Sequence, residues 1–157
     1  MPKQSAGLLL YRIGAGGLEV LLVHPGGPFW ARKDDGAWSI PKGEVEEGED
    51  ALDVALREFE EELGSPAPVA RDALVDIGTI RQKAGKVVAA WAGEGDFDPS
   101  GLRSNTFSIE WPPRSGQQKE FPEVDRAAWF GLAEARVKVL EAQAELIDRL
   151  AAVLGAL

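Results

Sequence analysis

The chain of 157 residues has room for one domain, and its 45% hydrophobic content is enough to bury a core. Zero cysteines exclude disulfides and thiolate metal sites, and a single histidine, His24, argues against a His-rich zinc site or a Ser-His-Asp triad. The 17 Lys and Arg face 26 Asp and Glu for a net charge of −9, and the bases form no dense stripe interleaved with aromatics, which argues against a nucleic-acid polymer as partner.

At the N-terminus "MPKQSAGLLLYRIG" reaches a strand-like segment at once, without signal-peptide architecture. No apolar run approaches the roughly 18 residues needed to span a bilayer, so a cytoplasmic protein is expected. Ala6 to Ile13 and Leu18 to His24 are apolar runs flanking "GAGG", the pattern of a β-hairpin. His24 to Trp38 is punctuated by Gly, Pro and Asp and reads as a loop bordering a pocket. "WSIPK" reads as a short strand stopped by Pro41. From Asp50 to Leu63 the period turns helical, with Leu52, Ala55, Leu56, Phe59 and Leu63 on one stripe, and Gly64 and Pro66 end it. "ALVDIGTIRQ" and "VVAAWAG" around "KAGK" predict a second strand pair, and "TFSIEW" a half-buried strand. "PPRSGQQKEFPEVDR" reads as a long connection, "AAWF" as a last short strand, and Leu132 to Leu154 as helical. The simplest arrangement is α/β, one domain over residues 1–157, with a mixed sheet between the acidic helix and a C-terminal helix.

The acids are not spread evenly. Between Glu44 and Glu62 stand ten of them (Glu44, Glu46, Glu47, Glu49, Asp50, Asp53, Glu58, Glu60, Glu61, Glu62) against Arg57 alone, and removing that segment leaves 16 charges of each sign. The whole net charge therefore lies in one place, which points to a cationic partner. Glu58, Glu61 and Glu62, at i, i+3 and i+4, are neighbours on the helix surface beside the apolar stripe, and no lysine lies among them. Oxygen-only ligands suit Mg²⁺ or Mn²⁺, which bridge carboxylates to substrate phosphates.

Gly43, five residues, Glu49, seven residues, Arg57-Glu58, apolar Phe59, Glu60, Glu61-Glu62, Leu63 and Gly64 reproduce a known signature. On these residues the chain resembles the Nudix hydrolase family; it departs at Ser65, where the signature has an apolar residue. "WSIPKGE" is similar to the strand entering the Nudix loop, and "EVDRAAWFGLAEA" to the segment that closes the sheet.

The resemblance implies an α/β/α sandwich and Mg²⁺-dependent hydrolysis of a P–O–P linkage in a nucleoside-diphosphate-linked compound, with Mn²⁺ as a substitute. Glu58, Glu61 and Glu62 then correspond to metal ligands, Glu58 also to a base acting on the attacking water, and Gly43 to a carbonyl ligand whose missing side chain admits phosphates. Arg57 would hold the loop through Glu49, its alternative being an ordinary bridge to Glu61. Glu123 resembles the downstream acid that adds a ligand or base, with Glu120 as competitor.

Lys42 in "PKGE" resembles members acting on diadenosine polyphosphates and inositol pyrophosphates, and is placed to meet a phosphate oxygen. Arg81, with Lys83, Lys86, Arg114 and Lys119, is a further candidate phosphate contact, each with the more ordinary alternative of a solvated surface charge, and Trp38, with Phe29 and Trp30, is a candidate platform for a base, Trp38 reading equally well as core. His24 reads as structural or pocket-edge rather than catalytic. The expected partner is a small nucleotide or polyphosphate, most readily a nucleoside triphosphate or a dinucleoside polyphosphate; a homodimer is left open. The competing reading is a catalytically silent Nudix-fold domain that binds a nucleotide derivative, although such domains usually lose the box glutamates that this chain keeps.

Overall fold

The computed structural model describes residues 3–155. Strands β1 (Gln4–Gly14) and β2 (Gly17–Pro25) form the expected hairpin, closing at the Gly14–Gly17 pair with Gly17 at φ 113°, a conformation open to glycine. A short β3 (Lys42–Glu44) follows, then helix α1 (Ala51–Leu63), β4 (Val75–Arg81), β5 (Val87–Glu94), β6 (Thr106–Glu110), β7 (Gln118–Pro122) and β8 (Val124–Gly131). Helices α2 (Leu132–Lys138) and α3 (Ala144–Leu154) end the chain.

The main sheet has six strands in the order β4-β5-β1-β2-β8, with β3 also on β1. β1 runs parallel to β5 and antiparallel to β2 and β3, so the sheet is mixed. β1 reads as a continuous apolar run because both its faces are covered. Leu8 and Leu10 point to α1, where Phe59 and Leu63 meet them, and Leu9 points the other way, to Leu146, Ile147 and Leu150 of α3. β2 alternates in the same way, with Leu21 and Val23 toward α1 and Val20 and Leu22 toward α3. Two cores thus sandwich one sheet.

Four expectations need correction. The inner stripe of α1 is Val54, Ala55, Phe59 and Leu63, while Leu52 and Leu56 are only half-buried, a rotation set by seating on β1 and β3. "WSIPK" is not a regular strand. Ser39 exchanges both backbone bonds with Val23 (2.9 and 3.0 Å), but Ile40 donates to the Gln143 side chain, and bonding to β1 begins only at Pro41, whose carbonyl accepts from Leu8 N (3.1 Å). The supposed long connection contains β7, which pairs with β6 as a separate two-stranded ribbon. Its residues lack alternation because ribbon pairing, not burial on a core, makes them a strand. The C-terminal helical stretch breaks between Lys138 and Ala144, where Leu140 donates to Trp38 O (2.8 Å) and Trp38 donates to Lys138 O (2.9 Å). No helix among the described residues is long and apolar enough to cross a membrane.

Candidate active site

The acidic segment is organised by its own local bonds. Asp50 caps α1 by accepting from Asp53 N (3.1 Å), and Gly64, at φ 89°, closes it by donating to Glu60 O. Ahead of the helix, Glu49 accepts from Glu46 N (2.8 Å) and from the Arg57 guanidinium (2.6 Å). Arg57 therefore clips the loop to the helix through Glu49, while its distances to Glu58 and Glu61, 4.0 and 3.9 Å, are the limit of an ion pair. Arg71 binds Asp50 and Asp53 at the outer edge. These contacts neutralise the start of the segment and leave Glu58, Glu61 and Glu62 without full partners.

The seating of α1 on β3 sets the environment of those three. A Cβ built on Gly43 would overlap the Glu58 carboxylate, so glycine is what lets the two elements approach. Glu58 is pushed up from the ordinary carboxylate range by burial first and then by Glu61. Glu62 is pushed up to about 8, again by burial, against the opposing pull of Lys42. Lys42 in turn is held below its ordinary value by burial and by the charge of Lys86. Each group thus resists carrying its charge in the folded protein, although the two stand together.

Glu123 follows the ribbon and raises both Glu58 and Glu62 through its charge. Its approach is fixed by the ribbon base, where Asn105 N donates to Glu61 O (3.0 Å) and Glu123 N to Asn105 O (2.8 Å). Glu120 instead accepts from Thr106 Oγ1 (2.6 Å) within the ribbon, which separates the two competing acids.

A cavity of about 210 Å³ joins this acidic corner to an apolar wall. Lys42, Glu62 and Glu123 line one part, and Val23, Trp30, Ala37, Ile40, Val124 and Leu140 among others line the rest. The loop bearing Trp30 is anchored by His24, fully buried, whose Nδ1 meets Asp125 Oδ1 (2.8 Å) and whose Nε2 meets Lys33 O (2.6 Å).

Two of the candidate substrate contacts stand away from this cavity. Trp38 is only 4% exposed; it packs edge-on to His24 and Phe130 and donates to Asp34 (2.8 Å), so it is core and cannot stack a ligand. Arg81 lies at the end of β4 with its guanidinium 3.4 Å from Gly85 O, and it does not line the cavity. The sequence offers no signal for Leu140 or Gln143. Gln143 is fully buried and reaches Ile40 N (2.9 Å), Ser39 Oγ (3.0 Å) and Gln82 Oε1 (3.0 Å), which holds the irregular approach to Lys42 in place.

Among the described residues no three acidic or histidine side chains already close around one point. The donors themselves, carboxylates together with a glycine that leaves room beside Glu58, fit a hard divalent cation and no softer one.

A mixed sheet between two helical layers, with a glutamate-bearing helix at one end of a cavity, defines the class as an α/β/α protein with an acidic, oxygen-rich corner. The model of the NUDIX domain matches residues 1–150, and the chain belongs to that family. The RNA pyrophosphohydrolase of Rhodospirillum rubrum is 42% identical over 67 residues, 41% of this chain and 39% of that protein, so the match spans well under half of the curated relative. Among solved structures, a C. elegans Ap4A hydrolase binary complex has a TM-score of 0.65 at 23% identity over 99% of each chain. The NUDIX domain of Shewanella oneidensis NrtR complexed with ADP ribose has a TM-score of 0.63 at 18% identity, over 98% of this chain and 89% of that one. At such identities these two likenesses speak for the fold.

Proposed function

We propose that this chain is a Mg²⁺-dependent pyrophosphohydrolase that cleaves a P–O–P linkage in a nucleoside-diphosphate-linked compound, a nucleoside triphosphate or a dinucleoside polyphosphate. The observation that carries the reading is the single cavity in which Lys42, Glu62 and Glu123 face an apolar wall bearing Trp30. Such a site suits a ligand with one anionic and one flat apolar end.

Glu58, Glu61 and Glu62, with the Gly43 carbonyl and Glu123, would hold the cation, and Mn²⁺ would substitute for Mg²⁺. When bound, a divalent cation neutralises phosphate oxygens and makes a water easier to deprotonate. Glu58, its proton affinity raised by burial and by Glu61, is suited to take the proton of the attacking water. The water oxygen bonds to phosphorus, the bridging P–O bond breaks, and the departing phosphate carries its electron pair. Lys42 meets a phosphate oxygen at the cavity wall, and Arg57 keeps the Gly43–Asp50 loop on α1 through Glu49. Trp30, not Trp38, is the aromatic in position to face a base.

The test is a phosphate-release screen with and without Mg²⁺ over nucleoside triphosphates, dinucleoside polyphosphates, nucleotide sugars, ADP-ribose and inositol pyrophosphates, on wild type, Glu61→Gln and Glu62→Gln. Metal-dependent turnover lost in both variants is expected. Undiminished turnover in both would remove the metal assignment, and tight binding without turnover of any compound would replace hydrolysis with ligand sensing.

A further inference from the structure

The first cavity, at about 210 Å³, is smaller than the roughly 300–1,000 Å³ of ordinary small-molecule sites, and it does not end in a wall. Leu140 lines it and also lines a second cavity of about 460 Å³, formed by Gln82, Lys83, Leu140, Glu141 and Ala142. Leu140 is a fixed divider, since its N donates to Trp38 O (2.8 Å) and its carbonyl accepts from Gln143 N (2.8 Å). Beneath it, the buried Gln143 side chain bonds Ser39 and Ile40 of the first cavity and Gln82 of the second. One hydrogen-bonded floor therefore runs under both.

Charge connects them as well. Gln82 N donates to the Lys86 carbonyl (2.7 Å), and the Lys86 ammonium is close enough to Lys42 for the two charges to interact. Among the described residues neither Lys83 nor Lys86 has an ion-pair partner, in a chain whose 26 acids outnumber its 17 Lys and Arg. Lys42 thus lines the first cavity and Lys83 the second, and Lys86, bonded through its carbonyl to Gln82, acts on Lys42 through its charge. That cavity offers apolar contact from Leu140 and Ala142, an acceptor from Glu141, and amide hydrogens from Gln82, whose oxygen is taken by Gln143.

We infer that this second cavity is another lobe of the same site, which takes the distal nucleoside of a dinucleoside polyphosphate while the phosphate chain passes Lys42 and Lys86. A ribose offers hydroxyl donors to Glu141 and an acceptor to Gln82, a base covers Leu140 and Ala142, and Lys83 meets the nearest phosphate. A lone anion does not suit the lobe, because Glu141 would repel it. The inference rests on the reading of the first cavity as a polyphosphate site, and it names which substrate that site prefers.

The test measures kcat/KM for ATP, adenosine 5′-tetraphosphate and diadenosine tetraphosphate with wild type, Glu141→Ala, and Lys83→Glu combined with Lys86→Glu. Glu141→Ala should lower kcat/KM for the dinucleotide by about tenfold, mainly through KM, and leave both mononucleotides unchanged, as expected for loss of one charge-assisted bond. The double lysine variant should weaken both tetraphosphates more than ATP. Equal losses on all three compounds with either variant, or no loss on any, would overturn the second lobe. Calorimetric titration of the metal-free protein with the same three compounds separates the two readings. A Glu141-dependent preference for diadenosine tetraphosphate without any turnover would keep the lobe and remove the hydrolase, whereas turnover with no Glu141 dependence would do the reverse.

Discussion

Helices α1 and α3 cover opposite faces of one sheet, yet their outer faces follow different rules. α3 is an ordinary amphipathic helix: Leu146, Ile147, Leu150 and Ala151 are buried, and outside them Glu145 pairs with Arg149 and Asp148 with Arg136. α1 buries Val54, Ala55, Phe59 and Leu63 just as well, but Glu58, Glu61 and Glu62 beside that stripe have only the distant edge of Arg57 and Lys42, whose own charge burial disfavours. A helix that served packing alone would set bases against its acids, as Arg149 within α3 and Arg136 of α2 stand against Glu145 and Asp148. The difference separates residues retained for stability from residues retained in spite of it.

The sharpest way to break the comparison is to remove the unpaired acids. Glu62→Gln and Glu58→Gln should lower kcat by about two to four orders of magnitude, the range for losing a group that handles a proton or charge in the transition state. In the same variants thermal melting at pH 8 without metal should hold or rise, since a buried charge is gone; a drop of several degrees would make these acids structural.

The inner faces should behave alike. Phe59→Ala and Leu150→Ala should each destabilise by about 2–5 kcal/mol in denaturant titrations, because both side chains are fully buried. A much smaller loss at either site would mean that its helix is not what seals that core.

A pH series sharpens the contrast. The folded protein holds Glu62 protonated up to about 8, above its ordinary value of 4.5. The folded state therefore binds the proton more tightly than the unfolded chain, and its contribution is fully present below pH 4.5 and lost as pH rises through about 8. The melting temperature of metal-free protein should fall across that window, the fall should flatten in Glu62→Gln, and millimolar Mg²⁺ should reverse it in wild type. A flat wild-type profile would contradict the burial of this acid.

The smallest effect belongs to α3. Arg149→Ala removes the pair with Glu145 together with bonds to Ile77 O and Thr79 O, and the pair alone is worth about 0.3–0.5 kcal/mol. Activity should not change at all.

Much of this was legible in the residues, and for definite reasons. The β1–β2 hairpin, the β4–β5 pair and α1 with its caps follow from local periodicity and from Gly and Pro punctuation, which act over a few residues. The Glu49–Arg57 clip was implied by the family resemblance rather than by local pattern, and the guanidinium stands 2.6 Å from Glu49. β7 and the break between α2 and α3 were not legible, because each depends on a partner elsewhere in the chain: β6 for the one, the Trp38 backbone for the other. Trp38 read equally as core or as a platform, since a loop precedes it and a strand-like segment holds it, and only the packed structure shows its ring between His24 and Phe130.

The sequence by itself therefore determined the family, the sandwich of helices about a mixed sheet, and the concentration of acids on one helix, since all three are written in local pattern and fixed spacing. Only the tertiary structure decided which acid joins that helix, Glu123 rather than Glu120, and which aromatic faces the cavity, Trp30 rather than Trp38. It also decided that Leu140 and Gln143, roughly a hundred residues from Ser39 and Ile40, build the floor. Those choices depend on desolvation and on bonds between distant segments, which exist only once the chain has closed on itself.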